Sequence, residues 1–308
     1  MKKNGVITIV GSIIYDYRIM ADKLPSPGET ILGYGFGCCS GGKGANQAVA
    51  AACLGADVSI VGCVGDDYNG DLIISEYKTH GINAEFVASL PGVPTSTCLI
   101  HIEKGGQNAI IIDCTANNLL SSAHVDNARD LLNQTGVLLL QNEVPMETSI
   151  HAATIAREAG AVIIYNPAPA LQLNETMLKL TDYFTPNETE TEFYTGVKIN
   201  GIPDASTAAD ILLKKGLKNI IITMGKDGSY YASGDYKKHF PAYPITAVDA
   251  TAAGDAFNGA LAVMLSEGRD IEYTVKFANA AGAVCAQGAG SQSSLGNRED
   301  VELLMSKH

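Results

Sequence analysis

The chain has 308 residues, of which 46% are hydrophobic and 18% are charged. This balance is typical of one large domain with a sizeable core and argues against disorder. Lys and Arg number 21 against 33 Asp and Glu, a formal net charge of −12, which repels phosphate backbones and argues against a nucleic-acid partner. Because the field inside a cleft is set locally, the charge does not exclude ATP.

The cysteines and the amino terminus indicate the compartment. Seven cysteines with no CxxC spacing favour a reducing environment over a disulfide framework, so we expect a cytoplasmic protein. The opening MKKNGVITIVGSII has the basic start and apolar run of a signal peptide, but polar residues follow without a small-residue cleavage site. We interpret it as a first strand. No apolar stretch approaches the roughly 18 residues that span a bilayer, so no membrane association is expected.

Short runs rich in Val and Ile, bounded by Gly or polar residues, recur along the chain and predict strands buried on both faces. These strands are predicted at 6–10, 58–61, 137–140, 161–165 and 219–223. Between them lie stretches with helical spacing, at 45–54, 70–80, 122–134, 146–159 and 205–215. The alternation predicts an α/β fold with a central, mostly parallel sheet flanked by helices.

Two regions interrupt this alternation. Residues 13–35 contain the turn PSPGET between extended segments, and residues 95–101 and 107–113 flank the turn EKGG as a hairpin would. Together they predict a small antiparallel β lid, inserted at about 12–36 and 92–114 of a single domain spanning 1–308.

The stretch GCCSGGKGANQAV, residues 37–49, resembles a phosphate-binding P-loop at first sight. Gly37, Gly42 and Lys43 fit that motif, but residue 44 is glycine instead of Ser or Thr. Without that hydroxyl the metal-binding part of a P-loop is missing. The lysine and glycines therefore need another explanation.

The segment VDATAAGDAFNGALAVML, residues 248–265, places small residues before an acidic residue and an amphipathic helix. Ala and Gly allow backbone N–H groups to approach a ligand closely, and a helix start adds a positive dipole end. The segment therefore predicts an anion site. Asp255 at the helix start would also be stable there in a protein without activity.

Several segments together closely resemble the ribokinase branch of the PfkB sugar kinase family, from about residue 5 to 300. The resemblance implies the ribokinase-like α/β fold and an ATP-dependent sugar kinase. It rests on GGKGANQAVAAACLGADVSIVGCVGDDYNG at 41–70, NPAPA at 166–170, NETE at 187–190, TMGKDG at 223–228 and DATAAGDAFNGA at 249–260.

The resemblance assigns the catalytic parts. Phosphoryl transfer needs positioning, charge stabilisation and a group that takes the proton from the attacking hydroxyl. Asp255 matches the family's base. The N–H groups of Ala252, Ala253, Gly254 and Asp255 match its anion hole.

The resemblance also implies ATP and metal sites. Asn187 and Glu190 match a motif that holds hydrated Mg²⁺, which needs few protein ligands, whereas Glu188 and Glu192 are interpreted as structural caps. The nucleotide loop is matched by Thr223, Gly225 and Gly228, with Asn279 beside the adenine. A monovalent cation site, and hence activation by K⁺, is implied at Asp249, Thr251, Cys285, Gly288, Gly290 and Ser294.

The same resemblance turns the 37–49 stretch towards the sugar. Gly41 and Gly42 would let sugar hydroxyls reach backbone N–H groups, and the Asn46 amide would bind hydroxyls. Lys43 is expected to bond or cap nearby backbone, because an unphosphorylated sugar offers it no anion. Asp16 and Glu143 match carboxylates that accept hydroxyl hydrogen bonds; the predicted substrate-contacting set is Ile14, Asp16, Gly41, Gly42, Lys43, Asn46 and Glu143.

Residue 14 departs from the ribose pattern. Ribose-specific relatives tend to have Asn two positions before this Asp, whereas this chain has Ile14 and Tyr15. An apolar side chain facing a hydroxyl leaves that hydroxyl unpaired, at a cost on the order of 1–3 kcal/mol. The prediction is phosphoryl transfer from ATP to the primary 5-hydroxyl of D-ribose, with 2-deoxyribose, another pentose or a nucleoside as alternatives.

Two other classes of protein compete with this interpretation. A dinucleotide-dependent dehydrogenase predicts GxGxxG after the first strand, but GSIIYD follows Val10. A catalytically inactive sugar-binding protein on the same scaffold predicts loss of the base or of the anion-hole glycine, and both Asp255 and Gly254 are present. Because relatives often pair through the lid strands, a homodimer is also expected.

Overall fold

A computed structural model describes residues 5–105 and 107–308. The first four residues of the predicted opening strand segment, and Gly106 in the predicted EKGG turn, lie outside the described residues. The strands, numbered in chain order, are β1 Val6–Val10, β2 Ile14–Ala21, β3 Tyr34–Gly41, β4 Val58–Gly65, β5 Val87–Leu90, β6 Thr97–Glu103, β7 Asn108–Asp113, β8 Thr135–Leu140, β9 Val162–Tyr165, β10 Tyr183–Phe184, β11 Asn219–Thr223, β12 Ser229–Ser233 and β13 Tyr236–Phe240.

The helices lie mostly between the strands of the larger sheet. They are α1 Lys43–Cys53, α2 Tyr68–Thr79, α3 Thr115–Asn118, α4 Ser122–Asn127, α5 Arg129–Leu132, α6 Met146–Glu158, α7 Glu175–Leu180, α8 Glu188–Thr195, α9 Ile202–Lys214, α10 Ala253–Ser266, α11 Ile271–Ala286 and α12 Arg298–Ser306. None of the helices in the described ranges has the length and apolarity needed to cross a bilayer.

The larger sheet has nine strands in the order β13-β12-β11-β10-β9-β8-β1-β4-β5. Its strands pair in parallel from β5 to β11, and β12 and β13 extend it antiparallel. Every residue of β4 is buried, as expected for a strand covered by helices on both faces. The predicted central, mostly parallel sheet flanked by helices is confirmed.

Two hydrophobic cores lie on the opposite faces of this sheet. Ile7 and Ile9 of β1 belong to a core formed with α1, α2, α10 and α11. Val10 faces the other side and joins a core formed with α4 to α9. Since successive side chains of a strand point to opposite faces, β1 anchors both helix layers. The strand ends between these layers are therefore held firmly in place.

The lid is the smaller sheet, with the strand order β3-β2-β6-β7. The β2–β3 and β6–β7 pairs are antiparallel, but β2 and β6 run parallel, so the sheet is mixed where an antiparallel one was expected. Both β2 and β6 leave the same edge of the larger sheet, after β1 and after β5, so they point the same way. The lid also extends further along the chain than expected, to Gly41.

One predicted helix is divided. The 122–134 pattern forms α4 and α5, with Ala128 as the cap of both. The N–H of Ala128 donates to the carbonyl of Val125, three residues earlier, and this tighter turn changes the helix direction. Val125 and Leu132 are both fully buried, so each short helix still contributes to the core.

Candidate active site

The candidate residues collect at the carboxyl ends of the central strands, where open α/β sheets bind ligands. Ser12 follows β1, Glu143 follows β8, Asn166 follows β9 and Asn187 follows β10. The start of α10 lies opposite, with Asp255 in its first turn. The fold therefore brings together residues that are more than 200 positions apart in the sequence.

Asp255 is held by two side-chain amides. Its Oδ2 accepts a hydrogen bond from Asn46 Nδ2 at 3.0 Å, and its Oδ1 accepts one from Gln47 Nε2 at 3.0 Å. Burial raises the pKa of Asp255, while Lys43, Asn46 and Gln47 act in the opposite direction. The carboxylate is thus fixed in orientation and its basicity is increased, as a proton acceptor requires.

The turn before α10 has a strained backbone. Ala252 has a φ of +61° and is the one non-glycine residue in the left-handed region within the described ranges. This conformation costs about 1–2 kcal/mol for a residue with a Cβ. It turns the chain so that the N–H groups of Gly254 and Asp255 begin the helix without intrahelical partners. Ala253 differs from the predicted anion hole, because its N–H donates to the carbonyl of Ala250 at 3.1 Å.

A cavity of about 180 Å³ lies directly beside Asp255 and Gly254 and is also lined by Lys43, Glu190 and Asn187. The Lys43 side chain lines this cavity, so its position differs from the backbone-capping role expected from the sequence. Burial lowers the pKa of Lys43, but the nearby carboxylates of Asp255, Glu143 and Glu190 more than compensate and leave it raised. A permanently charged ammonium beside the base suits a negatively charged group in transfer.

Asp16 and Glu143, the two carboxylates predicted to bind the sugar, lie close together. Glu143 Oε2 accepts hydrogen bonds from Ser12 Oγ at 2.5 Å and from the N–H of Lys43 at 3.0 Å. Burial, and secondarily the charge of Glu143, raises the pKa of Asp16 to about 7. Such a carboxylate gains from a ligand that donates hydrogen bonds to it, and sugar hydroxyls do this.

The predicted sugar-loop glycines are needed for close approach. A Cβ on Gly41 would lie 2.2 Å from Asp16 Oδ2, and a Cβ on Gly42 would lie 3.2 Å from Ile14 Cγ1. Gly42 also has a φ of +89°, which favours glycine. Ile14 pairs with Gly41 and shares its face of β2 with Asp16. Ile14 therefore places an apolar side chain beside Asp16, the carboxylate predicted to bind the sugar.

Cysteines next to Asp16 were missed by the sequence reasoning. Asp16 pairs with Cys39 on one side and with Cys98 on the other, so the three side chains share one face of the lid. Burial, followed by the charges of Asp16 and Glu143, raises the pKa of Cys98 to about 12. These thiols are therefore neutral at ordinary pH. Only the strand register, which the sequence does not display, would have revealed them.

A groove of about 650 Å³ lies on the other side of Gly254. It contains all the residues predicted to bind the nucleotide: Asn187, Thr223, Gly225, Gly228 and Asn279. The Asn279 amide donates to the carbonyl of Phe240 at 3.2 Å, which leaves its oxygen as the free acceptor. Sequence reasoning missed the irregular segment from Ala242 to Ala247, which also lines the groove and carries no motif.

Asn187 and Glu190 form a reciprocal cap at the start of α8. Glu190 Oε2 accepts from the N–H of Asn187 at 2.9 Å, and Asn187 Oδ1 accepts from the N–H of Glu190 at 2.9 Å. Glu190 is therefore a helix cap, a role that the sequence interpretation gave instead to Glu188 and Glu192, and it also lines the small cavity. Within the described residues no cluster of three or more His, Cys, Asp or Glu could hold a metal. The donor set fits Mg²⁺ that keeps its waters and is held mainly by ATP phosphates.

The structure brings together the residues predicted for the monovalent cation. Asp249 Oδ1 accepts from Thr251, and Asp249 Oδ2 accepts from the N–H of Gly290 at 3.1 Å. Cys285 Sγ lies 3.2 Å from Ser294 Oγ, and a Cβ on Gly288 would lie 2.7 Å from Ser294 Cβ. Burial raises the pKa of Asp249, but hydrogen bonds from Thr251 and Gly290 leave it lowered. An ionised carboxylate is a ligand type that suits a hard cation.

The carboxylate base, the helix-start N–H groups and the two adjoining cavities define a phosphotransferase. The family model of the pfkB family carbohydrate kinases matches residues 5–298, and the chain belongs to this family. The predicted family and the predicted enzyme class, an ATP-dependent carbohydrate kinase, are confirmed, and ATP and Mg²⁺ follow from the family.

Individual relatives match over almost the whole chain. A ribokinase from Haemophilus influenzae is 35% identical over 295 residues, covering 96% of each chain. A deoxyribokinase from Salmonella typhimurium is 37% identical over 289 residues, covering 94% of each. Among solved structures, a ribokinase from Arabidopsis thaliana complexed with ribose and ATP matches with a TM-score of 0.92 at 31% identity, covering 98% of each chain.

Proposed function

We propose that this protein transfers the γ-phosphoryl group of ATP to the primary 5-hydroxyl of a pentose, with D-ribose as the leading substrate. The observation that carries the proposal is the position of Asp255 and Gly254. Both line the small cavity beside Lys43, and Gly254 also lines the nucleotide groove. A sugar alcohol and the end of a triphosphate can therefore meet at one point. Ribokinases at about 35% identity over the whole chain support the choice of sugar.

Each residue then has a defined task. Asp255 takes the hydroxyl proton as the new O–P bond forms and the bond to the ADP leaving group breaks. The N–H groups at the start of α10 and the Lys43 ammonium stabilise the charge on the transferred group. Mg²⁺, held beside Asn187 and Glu190, would neutralise phosphate charge when it is bound. Asp16, Glu143 and the glycines of the sugar loop orient the sugar.

Activation by K⁺ belongs to the same proposal. Two residues of the predicted cation cluster, Asp249 and Thr251, directly precede the anion turn at Ala252 in the chain. The other four residues lie close to them or to one another in space; they are Cys285, Gly288, Gly290 and Ser294. A cation there would stabilise the turn that positions the helix-start N–H groups. We expect a higher rate in K⁺ than in tetramethylammonium.

We also propose a homodimer that forms through the lid. Ile110, Ile111 and Leu99 of the lid strands are about half exposed or more, and Phe36 is 67% exposed. Leu99 and Ile111 are cross-strand partners, and exposed apolar side chains on an edge strand such as β7 are typical of a surface that a second copy covers. All seven cysteines are unpaired, which supports the reducing, cytoplasmic location.

A second candidate substrate, 2-deoxyribose, is favoured by Ile14. This side chain is buried beside Asp16 and offers no hydrogen bond to a sugar hydroxyl. A sugar that lacks one hydroxyl avoids that loss. The deoxyribokinase from Salmonella typhimurium, which matches as well as the ribokinases do, supports this alternative.

The test is a substrate panel combined with Asp255→Asn. Purified protein is assayed for ADP formation with ribose, 2-deoxyribose, other pentoses, fructose 6-phosphate and nucleosides. We expect ribose or 2-deoxyribose to give the highest kcat/KM, and Asp255→Asn to lower kcat by about 10²- to 10⁴-fold while sugar binding is kept. Near-normal kcat in Asp255→Asn would refute the base assignment.

A further inference from the structure

Gln47 is a buried polar residue that lines neither the small cavity nor the nucleotide groove, so contact with a ligand there does not explain it. It lies in α1 one position after Asn46, is fully buried, and is absent from the described lining of both the small cavity and the nucleotide groove. Its neighbours Ala45, Ala48 and Val49 are apolar core residues. A buried amide costs free energy unless its hydrogen bonds are made, so its partners reveal its purpose.

The Gln47 amide is fully used, and one of its bonds goes to the base. Its Nε2 donates to Asp255 Oδ1 at 3.0 Å and to Asn166 Oδ1 at 3.1 Å. Its Oε1 accepts from Gln141 Nε2 at 2.6 Å. These three bonds use both donors and one acceptor position of the side chain, so the amide cannot rotate without losing a bond.

The bonds continue as a buried network beneath the base. Asn166 donates to the carbonyl of Thr185 at 3.0 Å, and Thr185 Oγ1 donates to Asn258 Oδ1 at 2.7 Å. Asn258 donates to the carbonyl of Gly254 at 2.8 Å. The network therefore links the base to the helix turn that stabilises the transferred group.

We infer that Gln47 is a positioning residue for the phosphoryl transfer, and that it fixes Asp255 Oδ1 so that Oδ2 is the oxygen that takes the sugar proton. This inference rests on the proposed function of Asp255. Asn46, the partner of Oδ2, is also buried but keeps 7% exposure against 0% for Gln47, and its Oδ1 accepts a hydrogen bond from Gln292 Nε2 at 3.2 Å. A sugar hydroxyl can replace Asn46 at Oδ2, whereas Gln47 behind the base stays in place.

The environment of Asp255 makes the donor important. The titratable groups that face Asp255 come from α1, the loop after β8, α8 and α11; they are Lys43, Glu143, Glu190 and Cys285. Burial raises the pKa of Asp255, and the Gln47 bond lowers it. Loss of that bond leaves every other group unchanged, so it should raise the pKa of the base.

The experiment compares Gln47→Met, which keeps length and apolar packing, with the wild-type protein. Without this bond the carboxylate can turn, and a displacement of about 1 Å can cost about 100-fold in rate, so we expect kcat to fall about 10- to 100-fold. The KM for the pentose should change by less than about threefold, because Gln47 does not line the small cavity. The acidic limb of the kcat profile should move to higher pH, so that the defect shrinks as pH rises.

Two further variants keep the test decisive. Gln141→Met leaves the bond between Gln47 and Asp255 but removes the support of Gln47 Oε1, so we expect a smaller loss of kcat with a smaller pH shift in the same direction. If Gln47→Met does not fold, Gln141→Met decides the question. Thr8→Val removes a buried hydrogen bond to Thr135 far from the site, and we expect it to leave kcat unchanged.

The outcomes separate this inference from the proposed function. A Gln47→Met protein with kcat within about twofold of wild type, or with a loss that is equal at every pH and matched by a higher KM, would overturn the positioning role. If Asp255→Asn is inactive in the same assays, the proposed function still stands in that case. If Asp255→Asn is fully active, both fail together.

Discussion

The sugar side and the nucleotide side of the cleft are built differently. The sugar side uses charged and amide side chains that hold one another, as Glu143 is held by Ser12 and Asp255 by Asn46. The nucleotide groove is lined largely by small and apolar residues, among them Gly225, Gly228 and the segment at 242–247. We therefore expect side chains to determine selectivity for the sugar, and the backbone to determine the shape of the nucleotide site.

This difference teaches where substitutions should act. On the sugar side, a changed functional group should alter selectivity or pH dependence while the fold is kept. On the nucleotide side, a single added Cβ should be enough to alter geometry. Gly254, which lines both cavities, is the point at which the two kinds of construction meet.

After Asp255→Asn, the largest effect is expected for Gly254→Ala. A Cβ at Gly254 would have no heavy atom within 4 Å, so the protein should fold normally. The methyl group would occupy the space where the transferred group must lie, and a displacement of about 1 Å can cost about 100-fold in rate. We expect kcat to fall about 100-fold, measured by steady-state ADP formation.

Gly201→Ala is the matched control, because its Cβ would meet only Pro203 at 3.9 Å. It should leave both kcat and stability unchanged. A Gly254→Ala protein with wild-type kcat would show that the junction between the cavities is not the transfer point.

The next effect is on stability, for Gly228→Ala. Gly228 has a φ of +87°, and a Cβ there would lie 2.1 Å from the carbonyl oxygen of Phe240. Left-handed strain costs about 1–3 kcal/mol, and the clash adds to it. We expect the free energy of unfolding to fall by at least about 2 kcal/mol, with a higher KM for ATP, measured by urea denaturation and kinetics.

Gly234→Ala separates strain from the clash. Gly234 has a φ of +55° with nothing near its Cβ position, so it should lose only about 1 kcal/mol. Equal losses in the two variants would mean that the contact with Phe240 does not shape the nucleotide loop.

A smaller effect, on selectivity, is expected for Ile14→Asn. The new amide would face the sugar beside Asp16 and could pair with a hydroxyl that Ile14 leaves unpaired. We expect the ratio of kcat/KM for ribose over 2-deoxyribose to rise about tenfold. Ile14→Leu, which stays apolar, should keep the wild-type ratio. An unchanged ratio in Ile14→Asn would remove residue 14 from the specificity determinants.

The last prediction concerns the pH dependence of Asp16. Its pKa in the folded protein is raised to about 7, against about 4 in an unfolded chain. Because the folded state holds the Asp16 proton more tightly than the unfolded chain does, protonated Asp16 does not destabilise the protein below about pH 4. The free energy of unfolding then falls as pH rises from about 4 through about 7 and Asp16 ionises. Asp16→Asn should therefore raise Tm relative to wild type at pH 8, and this difference should vanish at pH 4.

The same titration should affect sugar binding. Protonation of Asp16 removes an acceptor, so the wild-type KM for the sugar should rise as pH falls through about 7. In Asp16→Asn this dependence should be absent. A Tm difference that does not vary with pH would contradict the raised pKa.

The predictability of the site follows the same division between its two sides. Asp16, Asn46, Glu143 and Asp255 carry functional side chains in motifs, and the structure brings them to one cleft. The 242–247 segment of the nucleotide groove contributes shape more than functional groups, so its amino-acid sequence contains no motif that indicates a site. Lys43 is a third case. The sequence marked it as a site residue with a backbone-capping role, but it lines the small cavity.

The sequence by itself determined the alternation of strands and helices, because period and composition are local properties of the chain. It also determined the family, and it marked Asp255 as the proposed base. Only the tertiary structure decided the parallel pairing of β2 with β6, the cysteines beside Asp16, and the hold of Gln47 on Asp255. The first two follow from strand pairing in the lid. The third follows from the packing of α1 and α10 in one core on the same face of the larger sheet, which brings residues about 200 positions apart within hydrogen-bond distance.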